Sequence, residues 1–186
     1  MKFTFKPSPN YRHPQSTTKI MGYLSIALCA VLLSSIIWYG VSYGLALRVV
    51  ALSVTAVVTA LLTETAYFAF TGSKDIRHDV MHSYGWITAI ILVLITKIDV
   101  SYYAIVIATV VAILFGKLVF GGFGQNIFNP AAVGEAIIMN SFSASGAEEV
   151  TAQVLSGATP MAAMGSAGWS SSASVLENVM TSYGGL

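Results

Sequence analysis

Residues 121–130 read Gly-Gly-Phe-Gly-Gln-Asn-Ile-Phe-Asn-Pro and separate two apolar runs of the chain. Glycine adopts positive φ angles and lets other backbone come close, so it suits a sharp turn. Proline favours the first turn of a new helix, and Asn129 is suited to cap that helix at its N-terminus. The stretch therefore predicts that one helix ends near Phe120 and that another begins at Pro130.

The composition of the whole chain is that of a membrane protein. Its 186 residues are 55% hydrophobic and only 9% charged, whereas soluble domains average about 25% charged residues. So few charges cannot cover a soluble globule, and we expect an all-α integral membrane protein. The net charge of +1 offers no basic surface for nucleic acid. The single cysteine, Cys29, rules out a disulfide framework and is expected to be a buried, inert thiol.

About five transmembrane helices are expected, because a spanning helix needs about 20 apolar residues. The apolar passes lie near residues 21–39, 49–70, 84–96, 100–120 and 128–142. The third and fifth are short, and the third has room to begin as early as Val80. The chain then divides into a basic tail over residues 1–19, a transmembrane domain over 20–143 and a further segment over 144–186.

Positive charges predict the orientation in a cytoplasmic membrane. The basic tail should be cytoplasmic, and Lys74 and Arg77, two passes later, fall on the same side, as does Lys117 at the end of the fourth pass. The segment 144–186 contains glutamates but no lysine or arginine. It should therefore lie outside the cytoplasm.

A second short stretch, residues 156–160, reads Ser-Gly-Ala-Thr-Pro. Its small residues would let a bulky phosphate group approach the hydroxyl of Thr159. Five residues of this kind, taken alone, are more typical of an ordinary turn. Residues 121–134 likewise fit a simple turn between two helices, or a buried break of the kind that often lines an ion or substrate path.

Taken together, the two stretches resemble the membrane protein RnfD of the Rnf electron-transport complex and its relative NqrB of the sodium-translocating NADH:quinone reductase. Residues 156–159 match the site at which a threonine hydroxyl of that family takes FMN through its phosphate, although Gln153 stands where the pattern usually has Asp. The resemblance implies a set of FMN-binding residues: Thr159 as the covalent attachment point, with Ser156, Gly157, Ala158, Gly124, Asn126 and Asn129.

The resemblance also implies a function. The chain would be a membrane subunit of a redox-driven pump that couples electron transfer between ferredoxin and NAD to movement of Na⁺ or H⁺. Its FMN would relay single electrons between partner flavoprotein and iron–sulfur subunits, within membrane lipid. The fold would be the first of two inverted repeats of five helices plus the extracytoplasmic flavin-bearing segment, with the second half of the family's fold absent.

Two glutamates fall inside apolar passes. Glu64 lies in the second pass, and Glu135 lies in the second turn of the helix that restarts at Pro130. A carboxylate in the bilayer is costly unless it is paired, so both are candidates for the ion path. The alternative for Glu64 is a packing role in which the neutral acid donates a hydrogen bond between helices.

Residues 78–82, His-Asp-Val-Met-His, imitate the His-Glu-x-x-His pattern of zinc proteases. Asp79 replaces the glutamate base, and catalytic zinc usually needs three protein ligands, so no metal site is expected. Neither is a catalytic residue expected, since FMN would supply the chemistry. Two other classes remain open: a transporter or channel half without a redox group, and a structural membrane scaffold.

Overall fold

The computed structural model describes residues 16–142, and all regular structure in that range is helical. The helices in chain order are α1 (Thr17–Tyr43), α2 (Ala46–Phe70), α3 (Ile76–Ser83), α4 (Gly85–Ile95), α5 (Tyr102–Gly116) and α6 (Pro130–Ser141). A 3₁₀ turn at Leu118–Phe120 follows α5. The segment 144–186, including Thr159, and most of the basic tail lie outside the described residues.

Four segments of the described range are long and apolar enough to cross a membrane, by length and composition. They are Thr17–Tyr43, Ala46–Phe70, Ile76–Ile95 and Tyr102–Phe120. The all-α, multi-pass membrane class is thereby confirmed. The third segment begins earlier than expected because α3 and α4 follow each other with only Tyr84 between them. The fifth predicted pass corresponds to α6, whose 12 residues extend about 18 Å against a hydrocarbon core of about 30 Å. A count of five passes stays a prediction.

Helix α2 is the centre of the bundle and packs against α1, α3, α4 and α5. Small buried residues such as Ser53, Ala56 and Ala60 let its neighbours approach closely. The hydroxyls of Thr55, Thr59, Thr63 and Thr65 each donate a 2.7 Å hydrogen bond to the carbonyl one turn earlier. These polar side chains of α2 are thus satisfied within the helix itself, as an apolar environment requires.

Helix α1 lies at the periphery and has no buried residue. It begins after the N-cap Ser16 and ends before Gly44, whose φ of 69° is readily adopted by glycine. Cys29 on this helix is exposed, so the prediction of a buried thiol is wrong. The apolar run around Cys29 serves the outer surface of the bundle and not its core.

Helix α6 packs antiparallel along α5. At one end Gly116 lies against Pro130, and at the other the rings of Tyr103 and Phe142 meet at a centroid distance of 5.8 Å. The predicted restart is confirmed: Pro130 occupies the first turn, and the Asn129 side chain accepts a 3.1 Å hydrogen bond from the Ala131 amide. Three glycines between α5 and α6 adopt positive φ, at Gly121, Gly122 and Gly124.

Arg48, in the first turn of α2, holds the loop between α4 and α5. Its guanidinium donates hydrogen bonds to the carbonyl oxygens of Ile98 at 2.9 Å and Val100 at 3.0 Å. The same group lies 5.3 Å from the ring centroid of Tyr102, in the range of a cation–π contact. One end of the α2, α4 and α5 group is therefore fixed by a single side chain.

The contact between α5 and α6 leaves no room for a side chain at Gly116. A Cβ at this position would lie 2.9 Å from the backbone Cα of Pro130. We expect Gly116→Ala to destabilise the protein by about 1–3 kcal/mol, because α6 must shift to relieve the overlap. The measurement is thermal unfolding of the purified protein in detergent. Gly22→Ala is the matched control, since nothing lies within 4 Å of a Cβ there; equal melting points for the two variants would contradict the close packing.

Candidate ion site at a junction of broken helices

A glutamate and a lysine pair in the interior of the bundle. Lys117 Nζ lies 2.8 Å from Glu64 Oε1, and the two residues are 3% and 0% exposed. The hydroxyl of Ser83 donates a 2.6 Å hydrogen bond to the same oxygen, Oε1. Glu64 therefore lies inside the bundle, as predicted, but its partner is a charged lysine from beyond the end of another helix.

The carboxylate of Glu64 reaches a break in the third membrane segment. Helix α3 ends at Ser83, Tyr84 adopts a left-handed φ of 56°, and α4 begins at Gly85. A Cβ on Gly85 would collide with the carboxyl group of Glu64, so the absence of a side chain makes the space that the carboxylate fills. Tyr84 is the one non-glycine residue with positive φ in the described range, and such strained backbone clusters at functional sites.

Lys117 lies at a second break. Helix α5 ends at Gly116, Lys117 has φ −135° and ψ −60°, and the backbone continues as a 3₁₀ turn. The ammonium also donates a hydrogen bond to the carbonyl oxygen of Ser83, which lies at the end of α3. Two interrupted helices thus meet at Glu64, and we call Glu64, Ser83, Gly85 and Lys117 the junction site.

The structure corrects the role assigned to Lys117. Its position near the end of a pass predicted a positive charge on the cytoplasmic surface, but its ammonium is buried against Glu64. The orientation then depends on the exposed Lys74 and Arg77 and on the basic tail. A complementary pair could have been sought from the sequence, because Glu64 and Lys117 each lie a few residues before the predicted end of a pass on the same side.

One oxygen at the junction site remains without a partner. Glu64 Oε2 is buried and has no hydrogen bond to any described residue. Buried carboxylate oxygens are normally hydrogen-bonded, because an unsatisfied acceptor costs about 1–3 kcal/mol. The junction site therefore retains capacity for one more donor or cation.

A groove of about 400 Å³ borders the junction site. Its wall includes Ser83 from α3, Leu118 from the 3₁₀ turn and Phe123 from the glycine-rich loop. The Tyr84 and Phe123 rings pack edge to face at 5.0 Å and join the loop to the helix break. The predicted glycine-rich break thus lies beside the buried ion pair, which agrees with the expectation that such a break lines a cavity.

Glu135 belongs to a different place in the bundle. Its Oε2 accepts a 2.6 Å hydrogen bond from the hydroxyl of Thr96, at the far end of α4 from the junction site. The 11 residues of α4 separate the two positions by about 16 Å. A small cavity of about 100 Å³ lies between Glu135 and the loop that contains Lys97 and Asp99. The two candidate carboxylates do not form one site, and the role of each in an ion path stays a prediction.

The predicted flavin-binding residues are only partly described. The Asn126 amide donates a 2.8 Å hydrogen bond to the Phe128 carbonyl, Asn129 caps α6, and Gly124 has a φ of 82°. These contacts shape the loop between α5 and α6. The residues of the attachment stretch, Ser156, Gly157, Ala158 and Thr159, lie outside the described range, so a role of either group in binding FMN stays a prediction.

The histidine pair lies on the surface of α3. The His78 and His82 rings stack with centroids 4.0 Å apart, and His82 Nδ1 lies 2.9 Å from the His78 carbonyl oxygen. Asp79 accepts a hydrogen bond from Ser73. Residues 16–142 contain no group of three potential metal-ligating side chains.

A helical membrane protein with charged groups buried at interrupted helices belongs to the general class of proteins that move ions or solutes. Residues 4–186 match the sequence model of the NQR2, RnfD, RnfE family. The chain therefore belongs to that family, and the resemblance seen in its motifs is confirmed.

The similar curated proteins include two that set the scale of the match. The D subunit of the ion-translocating oxidoreductase complex of Haemophilus influenzae is 32% identical over 140 residues, which are 75% of this chain and 37% of the relative. The D subunit of the proton-translocating ferredoxin:NAD(+) oxidoreductase complex of Clostridium ljungdahlii is 30% identical over 181 residues, 90% of this chain and 50% of the relative. The chain spans half or less of the length of these relatives.

The buried pair makes a specific prediction about stability. Lys117→Met leaves the Glu64 carboxylate without a counter-charge and should destabilise the protein by about 3–5 kcal/mol, whereas the neutral double variant Glu64→Gln with Lys117→Met should recover most of that loss. Thermal unfolding of the single and double variants in detergent measures the coupling. Lys97→Met, at an exposed position, is the control. Additive effects of the two substitutions would show that the charges do not interact.

Proposed function

We propose that this chain is the membrane subunit, or half of one, of a redox-driven ion pump in the cytoplasmic membrane. The pump couples electron transfer between ferredoxin and NAD to movement of Na⁺ or H⁺, together with flavoprotein and iron–sulfur partner subunits. The family match supports this assignment, as do the names of the two relatives. The structural observation that carries it is the buried Glu64–Lys117 pair at the junction of two broken helices.

A buried carboxylate with an unused oxygen is suited to hold an ion within a membrane. Glu64 has one oxygen occupied by Lys117 and Ser83 and one oxygen without a partner among the described residues. The glycine at position 85 keeps the carboxylate against the backbone at the break, and the adjacent groove provides an approach from the glycine-rich loop. A carboxylate in this setting exchanges protons or small cations at a lower cost than one facing lipid.

The redox part of the proposal rests on residues 156–160. FMN, held there as a phosphoester, supplies one-electron redox chemistry, while the protein supplies its position and surroundings. In the described range, Phe142 at the end of α6 is the last residue before this segment. The orientation inferred from Lys74 and Arg77 favours a location of residues 144–186 outside the cytoplasm.

Covalent flavin should depend on one hydroxyl. Thr159→Val removes the oxygen that forms the phosphoester but keeps the side-chain shape, so flavin should be lost from the chain while membrane insertion is unchanged. The measurement is flavin fluorescence of the band on a denaturing gel, with intact mass as a second readout. Thr151→Val is the matched control in the same segment. A fluorescent Thr159→Val band would contradict the assignment, and an unmodified wild-type chain would favour the non-redox transporter.

The ion path should require the carboxylate of Glu64. Gln keeps the size of the side chain but loses its charge and titratable proton, so Glu64→Gln should retain flavin and complex assembly but lose most redox-driven ion uptake. Uptake into vesicles, normalised to flavin, is measured beside Glu135→Gln, which tests the second carboxylate independently. Full uptake by the Glu64 variant would leave the packing role as the remaining explanation for this residue.

A further inference from the structure

The ammonium of Lys117 occupies a cluster of oxygen atoms of the kind that binds small cations. Its Nζ contacts Glu64 Oε1 at 2.8 Å and also donates to the Ser83 carbonyl oxygen. The Ser83 hydroxyl lies 2.6 Å from the same carboxylate oxygen. Carboxylate, carbonyl and hydroxyl oxygens are the ligands preferred by hard cations, and Glu64 Oε2 adds a fourth that has no partner in the described range.

We propose that Lys117 is a tethered counter-cation, which occupies the oxygen cluster of Glu64 and Ser83 until the transported Na⁺ or H⁺ displaces it. This inference rests on the proposed ion-pumping function, since it identifies what the moving ion competes with. In the resting arrangement the ammonium neutralises Glu64. When an ion binds the carboxylate, the lysine leaves and the ion takes over the neutralisation, so Glu64 is paired in both arrangements.

The exchange avoids the main energetic obstacle to ion binding within a membrane. An unpaired buried carboxylate costs several kcal/mol, so a site that emptied completely between cycles would be strongly unfavourable. A tethered ammonium removes that cost without binding permanently. Lysine suits this role because its charge is compact and its four-carbon side chain is flexible, whereas arginine prefers fixed, two-pronged contacts.

The surroundings of Lys117 provide a place for the displaced ammonium. Its backbone lies between α5 and the 3₁₀ turn, outside regular helix. The neighbouring groove includes Ser83, Leu118 and the carboxylate-bearing Asp79. The Asp79 side chain is 41% exposed, so water and a second negative charge are available to the lysine once it leaves Glu64.

The alternative is a static brace, in which the ion pair fixes the two helix breaks and never opens. The two hypotheses differ in one measurable property, which is the chemical accessibility of the Lys117 amine. An ammonium held by Glu64 is protected from acylation, and a displaced one in the groove is reactive. Only the tethered counter-cation predicts that this reactivity depends on the ion.

The experiment acylates the purified complex briefly with a small amine-reactive reagent and quantifies the Lys117 peptide by mass spectrometry. One series varies Na⁺ at constant ionic strength with choline, and a second varies pH. Labelling of the exposed Lys74 and Lys97 is the internal reference for reagent reactivity. Displacement should raise the Lys117 ratio about tenfold across the series for the transported ion, as expected when a minor open state becomes the major one.

Glu64→Gln is the decisive companion variant. It should give a high Lys117 ratio that no longer responds to the ion, because the carboxylate that holds the lysine is gone. A response to Na⁺ alone identifies sodium as the competitor, and a response to pH alone identifies the proton; either supports the proposal. A response that persists in Glu64→Gln overturns it, since the ion then acts elsewhere.

Ion uptake measured on the same preparation separates this inference from the function on which it rests. A wild-type complex that takes up ions while its Lys117 ratio stays constant in both series overturns the tethered counter-cation and leaves the pump assignment intact. Labelling that responds to the ion in a complex without redox-driven uptake supports the exchange at Glu64 and refutes the pump. A constant ratio and no uptake refute both.

Discussion

The arrangement of the bundle depends on burying one positive and one negative charge together in an apolar interior. Neither Glu64 nor Lys117 would be stable there alone, and their 2.8 Å contact satisfies both. The pairing imposes conditions on three other segments. Ser83 must present its carbonyl and hydroxyl, Gly85 must lack a side chain, and α5 must end at Gly116 so that Lys117 turns inward. The two helix interruptions are therefore consequences of one electrostatic requirement.

The sequence predicted those features that depend on local patterns. Long apolar runs located four membrane segments, and the residues Asn129 and Pro130 located the start of α6 within one residue, because capping chemistry acts over a few positions. The charge of Glu64 within an apolar run likewise identified it as an interior residue, since exposure of a carboxylate to lipid is too costly.

The features that could not be predicted from the sequence depend on contacts between distant residues. Lys117 near the end of a pass has the same local pattern as a surface anchor, and only its proximity to Glu64, 53 positions away, shows that it is buried. The left-handed Tyr84 lies in a stretch with no proline, and hydropathy runs through the break without a change. Cys29 was misplaced for the opposite reason: an apolar run predicts insertion into lipid but does not tell which helices face the core.

Arg48 gives the bundle a mechanical asymmetry. Its hydrogen bonds to the Ile98 and Val100 carbonyls tie α2 to the loop between α4 and α5, at the end of the bundle opposite the junction site. Backbone carbonyls do not titrate, so this attachment is indifferent to ions and to pH. The attachment at the other end, between Glu64 and Lys117, consists of two charges and responds to both. The three helices therefore resemble a pair of tweezers, hinged at Arg48 and able to spread only at the tips, where the ion-sensitive contact lies.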